Sequence, residues 1–180
     1  MEEIIERVVL NSEEIEEVCR NLANQINIDY KGKRLLLVGV LKGSVPFLSC
    51  LMKYINVELM VDYVYVNSYK GHEKEMVIVH KDLDINFSGL DVLVVEDIID
   101  TGFTLYKIIE MLKGKDVASC EIIVLLDKIE NRKLGSIKPK YIGKIIPNEF
   151  VVGFGLDYKE LYRNLPIIGV LNKNLYRGKR

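Results

Sequence analysis

The residue types best suited to chemistry are concentrated in one short stretch, residues 96–104, which reads Glu-Asp-Ile-Ile-Asp-Thr-Gly-Phe-Thr. Its second half offers what a phosphate group needs. A glycine lets the backbone approach, threonine hydroxyls donate, and the N–H groups of a helix start point outward. The carboxylates of Glu96 and Asp97 would repel that phosphate, but they can accept hydrogen bonds from a ribose diol or help to hold a divalent cation. The stretch therefore predicts a sugar-phosphate site, with the phosphate at the turn and the hydroxyls at the acids.

An ordinary strand-to-helix connection, in which Asp100 or Thr101 caps the helix, is the alternative explanation of this stretch. We favour the ligand site because the acids, the glycine and both threonines occur together. Other common signatures are missing from the sequence, which has no G-x-x-x-x-G-K-[ST], no G-x-G-x-x-G and no G-x-S-x-G. The pair Gly153-x-Gly155 is too weak a signal to count as a dinucleotide motif.

Short apolar runs alternate with helical patterns along the chain, and these elements must position the site. The alternation predicts an α/β fold, with a mostly parallel central sheet flanked by helices. In such sheets ligands lie beyond the carboxyl ends of the strands, where residues 96–104 fall. The polar segment 67–75 is predicted to be a mobile excursion. The predicted strands cover residues 35–40, 57–66, 92–95, 122–126 and 167–171, and the helices follow Asn11 (with Glu14 as its capping partner), span 45–54 and span 105–112.

The composition fits a single globular domain spanning residues 1–180. With 25 Lys+Arg against 26 Asp+Glu, the net charge is −1, which argues against a dedicated DNA binder because phosphate affinity comes from surplus positive charge. Three widely spaced cysteines and two histidines disfavour a zinc site and predict reduced thiols. No apolar run approaches the ~20 residues of a membrane span, and the first residues are acidic where a secretory signal is basic. We therefore predict a cytoplasmic protein.

Several motifs, in order along nearly the whole chain, resemble those of the type I phosphoribosyltransferases, and closely those of the hypoxanthine-guanine phosphoribosyltransferases. Residues 96–104 resemble the signature of that family for phosphoribosyl pyrophosphate (PRPP). The remaining motifs are Leu-Lys-Gly-Ser at 41–44 (pyrophosphate loop), Ser-Tyr at 68–69 (start of the lid), Lys-Asp-Leu-Asp at 81–84, Lys128 after Leu-Leu-Asp, and Phe-Val-Val-Gly-Phe-Gly-Leu-Asp-Tyr at 150–158 with Arg163.

The resemblance implies a fold with a small hood from the terminal segments and a role in purine salvage. The implied reaction transfers 5-phosphoribosyl from PRPP to N9 of hypoxanthine or guanine, giving IMP or GMP and pyrophosphate, with Mg²⁺ as cofactor. It also implies a homodimer or homotetramer. From the net charge and the lack of a membrane-length apolar run, we expect neither a nucleic acid nor a membrane as partner. Two alternatives stay open: the same fold acting on xanthine or another purine, and a PRPP-sensing regulator of this fold that binds nucleic acid.

The resemblance also assigns roles to single residues. Asp100 is the implied general base, Ser68 and Tyr69 belong to the lid, and the peptide bond between Leu41 and Lys42 is implied to be cis. The implied PRPP-binding residues are Lys42, Gly43, Glu96, Asp97, Asp100, Thr101, Gly102, Phe103, Thr104 and Arg163. The implied purine-binding residues are Lys128, Phe150, Val151 and Asp157, and the implied metal ligands are Glu96, Asp97 and Asp157.

Each assignment competes with a simpler explanation. Lys128 can donate a hydrogen bond to the purine O6, which adenine lacks, but it could also be an exposed loop lysine beside Glu130. Asp157 and Arg163 could be surface salt-bridge partners. Lys42 could be a surface lysine in an ordinary turn, and the apolar residues Phe150 and Val151 could belong to the core.

Overall fold

A computed structural model describes residues 4–70, 75–84 and 86–176, although not the side chains of 67–70, 75–77 and 176. The strands are β1 (Ile5–Leu10), β2 (Arg34–Leu41), β3 (Glu58–Lys70), β4 (Glu75–Lys81), β5 (Asp91–Ile99), β6 (Ser119–Asp127), β7 (Tyr141–Ile145), β8 (Val151–Val152) and β9 (Ile168–Leu171). The helices are α1 (Ser12–Asp29), α2 (Val45–Met52), α3 (Phe103–Lys113) and α4 (Lys173–Tyr176), and a short 3₁₀ helix spans Ile129–Asn131.

The strands form a large sheet and a small one. The large sheet has the order β4-β3-β2-β5-β6-β7, and all its neighbours are parallel except β4, which runs antiparallel to β3. The small sheet has the order β1-β9-β8 and is antiparallel, so it joins the two terminal parts of the chain. The predicted α/β class, with its mostly parallel sheet and a hood from the terminal segments, is confirmed.

Apolar side chains cover the large sheet on both faces. One cluster contains the α1 and α2 side chains Ile15 and Phe47, and the other contains Leu105 and Ile108 of α3. Strand β2 is buried from Leu35 to Val40 because its side chains point alternately into these two clusters. The apolar stripe of α1 is likewise buried, and the predicted capping box between Asn11 and Glu14 is confirmed by hydrogen bonds in both directions.

The structure corrects the prediction for the segment 67–75. Strand β3 continues through Lys70 and pairs with β4, so Asn67 to Lys70 and Glu75 belong to an antiparallel pair rather than to an excursion. Residues 71–74, with His72 among them, lie outside the described residues. Lid residues Ser68 and Tyr69 have their backbones in β3, opposite Val77 and Met76, and their side chains lie outside the description.

Two further observations concern the cysteines and the helices of the described residues. Cys19, Cys50 and Cys120 carry free thiols, as expected for reduced cysteines. Within the described ranges, no helix combines the length and the apolar character needed to cross a membrane.

Candidate active site

A cleft with a volume of about 410 Å³ opens at the carboxyl ends of β2 and β5. It lies where the loop after β2, the end of β5 and the segment after β8 come together. The predicted site residues that line it are Lys42, Gly43, Glu96, Asp97, Thr104, Asp157 and Arg163, and they are joined by Tyr65 and Glu160. Asp100, Lys128, Phe150 and Val151 do not line this cleft.

The end of β5 is accessible because its pairing is unequal on its two sides. Pairing with β2 reaches only Val95, opposite Gly39, whereas pairing with β6 continues to Ile99, opposite Asp127. The two carboxylates at 96 and 97 therefore lie inside the strand, not after it, but in a part that has a neighbour on one side only. This arrangement holds them rigidly while their open side faces the cleft.

Two glycines allow the segments at the cleft floor to approach one another closely. The peptide bond between Leu41 and Lys42 is cis, as the resemblance implies. A Cβ atom on Gly43 would lie 1.8 Å from Oδ2 of Asp97, and one on Gly155 would lie 2.0 Å from the carbonyl oxygen of Gly43. Gly155 also has φ +100, a conformation that L side chains rarely adopt. Glycine is therefore required at position 155, where a Cβ atom would meet backbone, whereas a Cβ atom at position 43 would displace the carboxylate of Asp97.

Glu96 and Asp97 form a buried acidic pair at the centre of the cleft, with only 8% and 9% of their surfaces exposed. Burial raises the pKa of Glu96 well above its ordinary value, and the neighbouring charge of Asp97 raises it further. Burial also raises the pKa of Asp97, although the backbone N–H of Ile98 donates to its Oδ1 at 2.7 Å. Two buried carboxylates side by side favour a ligand that brings positive charge or hydroxyl donors.

The donor set suits a hard divalent cation. Mg²⁺ is usually held through one or two carboxylates, together with water and substrate phosphate oxygens. Glu96 and Asp97 match this requirement, and Asp157 lines the same cleft. The described ranges contain no group of three or more His, Cys, Asp or Glu residues that could hold a metal ion by themselves. The three predicted ligands therefore form a partial set rather than a complete cage.

The other end of the cleft carries the positive charge. Arg163 donates from Nη1 to the carbonyl oxygen of Gly155 at 2.7 Å, and its Nη2 lies 2.8 Å from Oδ1 of Asp157 and 3.0 Å from Oε1 of Glu160. Lys42 Nζ lies 2.8 Å from the other carboxylate oxygen of Glu160. The Lys42 hydrogen bond, followed by Arg163, lowers the pKa of Glu160. One carboxylate thus bridges the two cations that the resemblance assigns to PRPP.

The turn that leads into α3 has the geometry expected of an anion site. Its N-cap is Gly102 with φ +91, not Asp100 or Thr101, so the simple capping explanation is wrong. Because a glycine has no side chain to cap the first turn, the outward N–H groups of Phe103 and Thr104 suit a bound anion. Thr104 lines the cleft, which puts its part of the turn beside the acidic pair.

Asp100 follows β5 directly and contacts the loop after β6. The side-chain amide of Asn131 donates a hydrogen bond to Oδ1 of Asp100. In the same loop, Lys128 is only 8% exposed and its backbone N–H donates to the carbonyl oxygen of Ile99 at 3.0 Å. The alternative in which Lys128 is an exposed loop lysine is therefore wrong. The loop brings this lysine to the strand end that carries Asp100.

Phe150 and Val151 lie where the chain enters β8. Val151 is 6% exposed, whereas Phe150 is 39% exposed and its ring meets the ring of Tyr158 edge-on, with 5.7 Å between the ring centroids. The core explanation therefore holds for the Val151 side chain and fails for Phe150. An exposed aromatic face is what stacking on a purine requires.

The structure adds three residues that the sequence interpretation missed: Glu160, Asn131 and Gly155. Glu160 and Asn131 gave no usable signal, because a single acid or amide in a polar loop is common. Gly155 did give one, since it belongs to the Gly153-x-Gly155 pair that was set aside as too weak. Its role is a close backbone contact and not dinucleotide binding.

Comparisons with known proteins agree with this geometry. A family model described as the phosphoribosyl transferase domain matches residues 8–159. A hypoxanthine-guanine phosphoribosyltransferase of Staphylococcus aureus (strain Mu50 / ATCC 700699) is 48% identical over 174 residues, which cover 96% of this chain and 97% of that protein. The protein of the same name from Staphylococcus epidermidis (strain RP62A) is 46% identical over 178 residues, which cover 98% of this chain and 99% of that protein.

A solved structure is similar to this chain over nearly its whole length. A hypoxanthine phosphoribosyltransferase from Staphylococcus aureus, in a tetragonal crystal, matches with a TM-score of 0.92 at 48% identity, covering 96% of this chain and 94% of that chain. The similarity therefore extends over both sheets and the cleft. On the family match, the identity and the shared fold together, this chain belongs to the phosphoribosyltransferase family.

Proposed function

We propose that this protein is a purine salvage enzyme that transfers 5-phosphoribosyl from PRPP to N9 of hypoxanthine or guanine. The observation that carries the proposal is the cleft itself, in which a buried acidic pair lies between a glycine-capped helix start and two cations, Lys42 and Arg163. A sugar with a phosphate at one end and a pyrophosphate at the other matches this order of groups. The names of the relatives point to the same substrates.

In the proposed reaction the bond between ribose C1 and the pyrophosphate oxygen breaks, and a bond between C1 and purine N9 forms. The turn 100–104 binds the 5′-phosphate, and Glu96 and Asp97 accept hydrogen bonds from the ribose hydroxyls. Lys42 and Arg163 bind the pyrophosphate, whose negative charge grows as it leaves. Mg²⁺, held by the acidic pair with Asp157 nearby, would neutralise part of that charge when bound.

The purine side of the proposed reaction uses the loop after β6 and the entry to β8. Lys128 donates to O6 of the base, the ring of Phe150 stacks on it, and the backbone of Val151 contacts its edge. Asp100 accepts the proton that the purine ring loses when N9 is alkylated. The backbones of Ser68 and Tyr69 belong to a strand beside the cleft, and we propose that this segment closes over the reactants and excludes water.

Pyrophosphate release is the direct test of this function. The purified protein is supplied with PRPP and Mg²⁺, and with hypoxanthine, guanine, xanthine or adenine in separate reactions. We expect rapid release with hypoxanthine and guanine and little release with adenine. Release with xanthine alone would favour the other-purine alternative. Saturable RNA binding without any purine-dependent release would favour a regulator, a class to which neither of the named relatives belongs.

Replacing Glu160 by Gln is expected to strengthen the binding of pyrophosphate and of PRPP about two- to fivefold, since an exposed ion pair is worth about 0.2–1 kcal/mol. Glu160 is bonded to Lys42 and Arg163, so an incoming pyrophosphate must displace its carboxylate. The inhibition constant of pyrophosphate and the KM for PRPP measure the effect. Glu149→Gln, which breaks an ion pair with Arg7 in the hood, is the matched control. Weaker pyrophosphate binding in Glu160→Gln would show that Glu160 holds the cations in place instead.

A further inference from the structure

The side chain of Asn131 makes a direct hydrogen bond to the carboxylate that is proposed to accept the purine proton. Its amide Nδ2 donates to Oδ1 of Asp100, from a loop that no motif pointed to. We infer that Asn131 is a positioning residue: it fixes the orientation of the Asp100 carboxylate through Oδ1 and leaves Oδ2 for the purine proton. This inference rests on the proposed role of Asp100.

Backbone hydrogen bonds place Asn131 where it can reach Asp100. Asn131 ends a 3₁₀ turn, and its N–H donates to the carbonyl oxygen of Lys128 at 2.9 Å. The N–H of Lys128 in turn donates to the carbonyl oxygen of Ile99 at 3.0 Å. Since Ile99 directly precedes Asp100, these hydrogen bonds hold the loop that carries Asn131 against the end of β5 that carries Asp100. The contact between the Asn131 amide and the Asp100 carboxylate therefore follows from the way these backbone hydrogen bonds place the two residues.

A buried ion pair fixes the far side of the loop. Asp127 is 0% exposed, and the Arg132 guanidinium binds both of its carboxylate oxygens, from Nε at 2.9 Å and from Nη2. The same guanidinium donates from Nη1 to the carbonyl oxygen of Ile137 at 3.2 Å. A bidentate pair of this kind restricts the rotation of both side chains. Asn131 precedes the arginine directly, so its own backbone is held as well.

The chemistry of the contact determines what Asn131 can do. An amide N–H that donates to one carboxylate oxygen restricts the rotation of the whole carboxylate, because the hydrogen bond keeps that oxygen directed toward the amide. The hydrogen bond also occupies one of the two carboxylate oxygens of Asp100 and sets the orientation of the other. Because Lys128 and Asn131 share one loop, binding of the purine O6 and orientation of the proton acceptor depend on the same backbone.

The test compares Asn131→Leu with the unchanged protein. We expect kcat to fall about tenfold, because hydrogen bonds to charged groups are the strong ones, while the KM for PRPP stays within about twofold. This split between kcat and KM distinguishes a positioning residue from a purely structural one, whose loss would also raise the KM for PRPP. Asn24→Leu, an exposed asparagine on α1, is the matched control and should keep both kcat and the KM for PRPP.

A double substitution separates this inference from the proposed function. If Asn131 acts through Asp100, then adding Asn131→Leu to Asp100→Asn should cost little further activity. An undiminished tenfold loss in that background, or a KM for PRPP that rises in proportion to the fall in kcat, would overturn the inference while the function stands. If Asp100→Asn itself keeps full turnover, the proposed role of Asp100 fails first. Should Asn131→Leu not fold, Asn131→Asp removes the same donor at equal size and must show the same fall in kcat with an unchanged KM for PRPP.

Discussion

Replacing Asp100 by Asn should lower kcat by about 10²–10⁴-fold, the range typical of losing a general base, with little change in PRPP binding. The amide has the same shape as the carboxylate and can still accept the hydrogen bond from Asn131 through its oxygen. It cannot accept the proton of the purine ring, so the loss falls on the chemical step. Steady-state pyrophosphate release gives kcat, and equilibrium titration with PRPP gives its Kd.

Asp116→Asn is the control for this substitution. Asp116 is exposed, accepts a hydrogen bond from the hydroxyl of Ser88 at 2.8 Å, and precedes β6, at the end of the sheet away from the cleft. Its replacement should leave both kcat and the Kd for PRPP unchanged. If Asp100→Asn instead lost PRPP binding in proportion to kcat, Asp100 would be a ligand of the phosphate turn and not the proton acceptor.

The acidic pair and the turn that follows it could be recognised from sequence as a candidate site because their residues are contiguous. Acids, glycine and hydroxyls that follow one another at a strand end need no tertiary information to be recognised as a site. The contact between Gly43 and Asp97 and the contact between Gly155 and Gly43 are different, because they join segments far apart in the chain. A single glycine in the sequence does not reveal which part of the chain it approaches, so these contacts could be seen only in the folded structure.

Strands in the middle of the large sheet, whose two faces are both covered, could be predicted from sequence. Strand β4, at the edge of that sheet, and the two-residue strand β8 could not. β2, β5 and β6 carry unbroken apolar runs because helices pack on both sides of the sheet. β4 is an edge strand, and its partner segment at 67–70 is polar, so the pattern resembled a loop. β8 has only two residues, too few for any periodicity to be visible.

The burial of Lys128 likewise could not be predicted from the sequence. Lysine is almost never fully buried, so composition favours exposure at any loop position. The bidentate pair between Asp127 and Arg132 closes the loop over the strand end, and the lysine between them is covered as a result. The family resemblance selected this lysine as a purine-binding residue, which stays a prediction, whereas residue propensity gave no reason to expect its burial.

Replacing Lys128 by Met should remove the preference for 6-oxopurines. A hydrogen bond from a charged donor is worth about 1.5–3 kcal/mol, so kcat/KM for hypoxanthine should fall by about 10- to 150-fold. Adenine has no O6 to accept this bond, and its kcat/KM should change much less. The ratio of the two kcat/KM values, measured by pyrophosphate release, gives the selectivity directly. Methionine keeps most of the side-chain length, so the loop around this buried position remains filled.

Lys107→Met provides the comparison, because Lys107 is an exposed lysine on α3 and its loss should leave the selectivity ratio unchanged. The KM for PRPP should also stay constant in Lys128→Met, since Lys128 does not line the cleft that holds the acidic pair. A Lys128→Met protein that still strongly preferred hypoxanthine to adenine would exclude the O6 contact as the discriminator. Selectivity would then have to come from the backbone around Val151, where N–H and C=O groups can distinguish an oxo group from an amino group without any side chain.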